Sequence, residues 1–142
     1  GDIDIAFIET RLAIDRTARR LFVSCRTARM IVMDDDRGVA IANLPIGEDT
    51  DSAAFDPARK LAFSSNGDGT LSVISEMNPN KYTVLASVST AVGAKTMAED
   101  PSTGRVYTAA AEIANKPAVT QATVNPRAEF KPGSLKLLVL SP

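Results

Sequence analysis

Histidine is absent from this 142-residue chain, and cysteine occurs once, at Cys25. That removes His-held metals, His-ligated haem and every Ser-His or Cys-His nucleophile pair. The chemistry left is that of carboxylates, guanidinium and ammonium groups. Asp34-Asp35-Asp36 could gather a hard cation. Adjacent carboxylates in a strand context point to alternating sides, so they are expected in a solvated turn between outer strands. Asn66-Gly67-Asp68-Gly69-Thr70 looks like part of a calcium loop, but Ser75 stands where the closing Glu is required. A Gly-rich hairpin with a two-residue Asp-Gly turn is the expectation there. Cys25 lies beside Arg26, a cation that can activate a thiol. With no second cysteine or histidine to pair with, a small structural residue is expected instead.

The elements that must position these groups announce themselves by repetition. LAIDRTARRLFVS from Leu12, AAFDPARKLAFSS from Ala53 and MAEDPSTGRVYTA from Met97 share one pattern: apolar strand, Asp, turn, basic residue, second strand. Asp15, Asp56 and Asp100 are separated by 41 and 44 residues. A period of that size made of strands and turns predicts an all-β fold, a β-propeller with three four-stranded blades in the chain. Residues 1–142 then form one unit: an N-terminal strand over 2–9, and blades over 10–47, 48–93 and 94–142. The third blade lacks a fourth strand of its own. Its first two strands are expected at Ala98 and Val106–Ala109, and its third at Leu135–Leu140. Between them, 112–133 reads as a long loop with Pro117, Pro126 and Pro132. Loops of that length are usually functional or disordered.

An open edge at each end of such an array invites pairing. The expectation is a head-to-tail homodimer in which Ile3 to Ile8 of each chain completes blade three of the other, giving a six-bladed ring. The alternative is a piece of a longer propeller. The chain starts at Gly1 rather than Met, so a processed or excised chain is expected.

In a propeller the innermost strands line a channel, and the loops entering them form a rim. Arg11, Asp51, Lys95 and Thr96 fall at those entrances, with Glu9, Glu48 and Asp49 nearby. Mixed charge in a concave site can hold a small polar ligand or an acidic side chain. Mutual charge pairing around a wet channel is the competing expectation. Glu99 stands at the repeat position of Ile14 and Phe55, where an apolar residue should pack. It needs a cationic partner, Lys95 or Arg105, or its pKa must rise.

LAIDRTARRLFVSCR, LPIGEDTDSAAFDPARKLAFSSNGDGTLSVI and GAKTMAEDPSTGRVYTAAAE together resemble the YVTN-type repeat propellers. The resemblance runs from about Leu12 to Leu140 and is closest to the C-terminal portion of seven-bladed bacterial members. It implies the propeller fold, and export to the periplasm or cell surface. Glu99 and Lys95 depart from it, since the family typically has an apolar residue and an Arg there.

Sixteen Lys and Arg against seventeen Asp and Glu give a net charge of −1, so no global field draws the chain to nucleic acid or anionic membrane. Five Phe, two Tyr and no Trp leave little for base stacking. No apolar run is long enough for a membrane span, and no signal peptide is evident. The expected function is a non-catalytic binding or interaction scaffold without a cofactor, using the channel mouth or the 112–133 loop. Its partner would be a protein or a small polar ligand. A propeller hydrolase or lactonase with a carboxylate-held metal is the alternative enzyme, and a structural propeller piece without a specific ligand is the third possibility.

Overall fold

A computed structural model describes residues 11–122 and 127–142. The strand expected over residues 2–9, and its exchange between chains, lie outside the described residues.

Short β-branched and aromatic runs punctuated by Asp, Asn and Gly fold into antiparallel meanders. The first sheet holds β1 (Arg11–Asp15), β2 (Arg20–Cys25), β3 (Arg29–Asp34) and β4 (Val39–Pro45) in sequential order. The second repeats this with β5 (Thr50–Asp56), β6 (Leu61–Asn66), β7 (Thr70–Asn78) and β8 (Lys81–Ser89). The third contains β9 (Met97–Asp100), β10 (Arg105–Ala110) and, after the long insertion, β13 (Lys136–Leu140), in the order β13-β10-β9. Among the described residues it has three strands. The insertion is not simply a loop: β11 (Ile113–Asn115) and β12 (Glu129–Phe130) pair as a small ribbon at its base. Two apolar residues, Ile113 and Phe130, face each other there. The prolines above this pairing hid it from periodicity.

One turn serves all three repeats. The Asp15 carboxylate accepts from the amides of Thr17 and Ala18 at 3.0 and 3.1 Å. Asp56 does the same for Ala58 and Arg59 at 2.9 and 3.1 Å. Asp100 accepts from the Ser102 amide and hydroxyl at 2.9 and 2.7 Å. The fourth residue after each Asp is left-handed: Arg19, Lys60 and Gly104, with φ of 59°, 55° and 75°. Asp therefore recurs because its short carboxylate caps the turn amides. Asp34 uses the same device between β3 and β4, binding the Asp36 and Arg37 amides, with Gly38 as the left-handed residue. Asp35 and Asp36 pair with Arg19 at 3.1 and 2.8 Å, so this acidic run forms the expected turn. The 66–70 hairpin differs from expectation. Asn66 pairs with Thr70 across three loop residues, and Gly69 takes the left-handed position at φ 94°. Asp68 then caps the Thr70 amide at 3.1 Å and takes the Glu48 amide at 2.8 Å, which fixes the crossing between sheets.

Alternate residues of each strand face opposite neighbours. Phe22, Met30 and Val32 of the first sheet pack on Ala62, Ile74 and Tyr82 of the second. The Phe22 ring stacks on Phe55 at 4.9 Å and meets Tyr82 edge-on at 5.8 Å. The other side of the second sheet, with Phe63, Leu71 and Val73, packs on Val106, Met97 and Leu140 of the third. Two like apolar layers therefore join three sheets in series. Cys25 is buried, and burial raises its thiol pKa, in keeping with a structural residue.

Candidate binding groove and rim

The strands β1, β5 and β9 all run from one end of the sheets, where loops cross between repeats, to the Asp-turn end. At the crossing end, Arg11 donates to the Asp51 carbonyl at 2.6 Å and lies 3.6 Å from its carboxylate. Lys95 Nζ sits 2.7 Å from Asp49 Oδ2. Asp49 is itself left-handed at φ 56°, and its carbonyl receives the Gly67 amide at 2.8 Å. A Cβ on Gly67 would collide with the Asp49 carboxylate and the Lys95 side chain, so glycine makes room for this ion pair.

The backbone at Lys95 and Thr96 is held by side chains from the neighbouring strands. The Ser65 hydroxyl donates to the Lys95 carbonyl, and Thr108 Oγ1 donates to the Thr96 carbonyl at 2.7 Å. Behind them is a buried polar network. Thr50 and Ser64 hydroxyls meet at 2.6 Å, and Asn66 Nδ2 donates to Thr70 and Ser72 at 3.0 and 2.9 Å. Satisfied networks of this kind fix geometry. Arg11, Asp51, Lys95 and Thr96 thus share the crossing end, on a rigid support. Their ion pairs are exposed, and pairs of that kind contribute only about 0–1 kcal/mol. An incoming carboxylate can therefore compete for Lys95 at little cost.

Glu99 does not join them. It lies toward the Asp-turn end of β9, opposite Val106. Neither Lys95 nor Arg105 partners it. Its carboxyl hydrogen-bonds Asp56, near Arg59, and burial followed by the Asp56 contact lifts its pKa to about 7. Burial also pushes on Asp56, but the Arg59 amide and guanidinium and the Glu99 contact win, holding it below the usual carboxylate range. Arg59 bonds Asp56 Oδ2 at 3.1 Å and the Pro101 carbonyl at 3.3 Å, tying the second sheet to the third. At the preceding boundary Glu76 is raised by burial and by Asp15.

A concavity at the crossing end could not be read from the sequence. A groove of about 490 Å³ opens between the 91–92 connection and the base of the ribbon. Ala91, Val92, Ala110, Ile113 and Leu138 provide its apolar walls, and Glu112, Ser134 and Lys136 its polar groups. Ser134 Oγ accepts the Glu112 amide at 2.9 Å, and Glu112 lies 3.4 Å from Lys131. Lys136 is the cation left at the groove without an ion pair among the described residues. The volume is in the range of sites that hold small ligands or short peptide segments. Among the described residues, no group of three or more Cys, Asp or Glu is placed to hold a metal ion.

No family model matches the chain, and no curated protein matches it. Solved structures do. The WD40 domain of Neurospora crassa Pan2 is similar over 91% of this chain, with a TM-score of 0.55 and 13% identity. This chain spans 36% of that chain's length. The fold is therefore all-β, with two antiparallel four-stranded sheets and a third of three described strands, similar to that of a WD40 β-propeller domain.

Proposed function

We propose that this chain is a non-catalytic propeller scaffold that captures an extended segment of a protein partner at the crossing end. The supporting observation is the 490 Å³ groove, apolar on its walls and bordered by Lys136. Apolar walls reward alternating hydrophobic side chains, and a lone ammonium rewards an acidic residue beside them. Arg11, Asp51, Lys95 and Thr96 extend this surface along the same end. Their weak, exchangeable ion pairs suit an acidic side chain or a small polar ligand. The finer relationship to YVTN-type repeats, and the exported location it implies, belong to this proposal as well.

A carboxylate-held metal would support the alternative of a propeller hydrolase; the described turn carboxylates Asp15, Asp34, Asp56 and Asp100 are instead engaged in capping amides. A panel of short fluorescent peptides with alternating apolar residues and one Asp or Glu tests the proposal by anisotropy. Saturable binding that Val92→Glu weakens about tenfold or more is the expected result. Binding insensitive to Val92→Glu and Lys136→Ala, or no binding at millimolar peptide, would contradict it.

A further inference from the structure

The repeat register assigns an equivalent to every inward-facing position. Phe22, Phe63 and Tyr107 lie opposite Ala13, Ala54 and Ala98 on the neighbouring strands of their sheets. Across to the next strand, Phe22 pairs with Val32, Phe63 with Val73 and Tyr107 with Val139. Two residues further, Ser24 pairs with Met30, Ser65 with Leu71 and Ala109 with Leu137. Burial at these positions breaks the repeat. Val32 and Val73 are 0% and 8% exposed, but Val139 is 51%. Met30 and Leu71 are 0% and 2% exposed, but Leu137 is 66%. In the first two sheets these side chains are covered by the sheet that follows. In the third, no described sheet covers the same apolar face.

At the other end of the series, no described sheet covers the complementary face. Phe55 and Ala62 of the second sheet receive the first sheet, and Val106 helps receive the second. Their equivalents in the first sheet are Ile14 and Leu21. Ile14 is 40% exposed and its face-mate Leu12 is 61%. The chain thus carries both halves of one more interface of the kind it builds twice internally.

Charge follows the same register. Arg20 crosses from the first sheet to the β7–β8 turn, donating to Pro79 O at 2.8 Å and Asn80 Oδ1 at 3.1 Å. The equivalent of Arg20 in the third sheet is Arg105, opposite Asp100 as Arg20 is opposite Asp15. Arg105 is exposed and has no side-chain partner among the described residues. The counterpart of the β7–β8 turn in the first sheet is the acidic β3–β4 turn, where the Asp36 side chain is 62% exposed.

We infer that a second copy of this chain docks head to tail, laying its Leu12, Ile14 and Leu21 face on the Leu137, Val139 and Tyr107 face, with Arg105 reaching the second copy's Asp35-Asp36 turn. Face packing between sheets carries this contact, independent of any exchanged strand and of the groove. A head-to-tail contact closes only if rotation completes a ring, and two copies bring six sheets, within the propeller range.

Sedimentation equilibrium of the whole chain tests this, from about 1 to 100 µM, where contacts of ordinary strength are populated. The expected mass is twice the 15.0 kDa of one chain. Leu137→Glu and Ile14→Lys each change an exposed residue, so each should leave the far-UV circular dichroism unchanged. Each should also weaken association roughly a hundredfold. Mixing the two variants should restore the two-chain mass, since the mixed pair keeps one unaltered interface and sets Glu against Lys in the other. Arg105→Glu should weaken association, and Asp36→Arg should restore it. A single-chain mass throughout overturns the proposal and points to another propeller sheet or a different protein as the occupant. A two-chain mass that both Leu137→Glu and Ile14→Lys leave intact also overturns it.

Discussion

Glu99 lies against Asp56 across the boundary between the second and third sheets, at a register position that holds Phe55 in one repeat and Ile14 in another. A carboxyl has replaced an apolar side chain and shares a hydrogen bond with a buried carboxylate. Asp56 is 0% exposed, and Glu99 Oε1 is buried without a partner. Two negative charges so close and so poorly hydrated are costly, so Glu99 keeps its proton until about pH 7.

Stability should therefore decline as pH rises from 5 to 8. The Glu99 pKa is raised in the folded state, from an ordinary 4.5 to about 7. The unfolded chain binds fewer protons in that window, so the contribution of neutral Glu99 is complete below 4.5 and lost as pH rises through 7. Asp56, Arg59 and Asp100 surround the group, and Glu76 beside Asp15 titrates in the same direction. Urea unfolding at pH 5, 6, 7 and 8 should show the decline, with a smaller slope in Glu99→Gln. An unchanged slope in that variant would contradict the assignment.

Replacing Glu99 by the residue its register calls for should stabilise the protein. Glu99→Ile removes a half-buried carboxyl and restores the apolar character of Ile14 and Phe55. A gain of about 1–3 kcal/mol at pH 8 is expected, with little gain at pH 5. Equal gains at both pH values would mean that packing, not ionisation, is responsible.

The turn aspartates should differ in weight. Asp56 is fully buried, caps two amides and holds Arg59, so Asp56→Ala should cost about 3–5 kcal/mol. Asp100 makes the same kind of turn in partial contact with solvent, so Asp100→Ala should cost clearly less than Asp56→Ala. Chemical denaturation of the two variants checks the order, and equal losses would contradict it.

Two left-handed glycines separate backbone strain from crowding. Gly38→Ala meets nothing within 4 Å at φ 65°, so it should lose about 1 kcal/mol. At Gly104, φ is 75° and a Cβ would lie 2.5 Å from the Arg59 guanidinium. The added methyl must displace Arg59 from Asp56 and Pro101, so the loss should exceed that at Gly38 by about 1–2 kcal/mol. Matching losses in thermal denaturation would deny Arg59 its role at the boundary.

The strands and the repeat were legible because they rest on local signals. Period-two apolar runs mark the sheets, and Asp15, Asp56 and Asp100 mark turns whose amides they bind. Even β13 was visible as an apolar run after the insertion. What stayed hidden depends on contacts distant in sequence. The groove needs Val92 beside Ile113 and Leu138, which no local pattern announces. The misfit of Glu99 was visible in the repeat, but its partner was not. Lys95 is four residues before it in sequence, whereas Asp56 and Arg59 arrive from the preceding sheet. The two-residue turn expected at Asp68-Gly69 failed because Asn66 and Thr70 pair across three residues. Asp34 shares the role of Asp15, but Asp35 and Asp36 beside it made the run look like a charge cluster.

The most direct test of the proposed binding role is amide chemical-shift mapping of the ¹⁵N-labelled chain during titration with the acidic-apolar peptide panel. The groove account predicts shifts concentrated at Ala91, Val92, Ala110 to Ile113 and Ser134 to Leu138, with weaker changes at Lys95 and Thr96. Shifts concentrated at the opposite end, around Asp15, Asp56 and Asp100, would contradict it, as would a spectrum that no peptide changes.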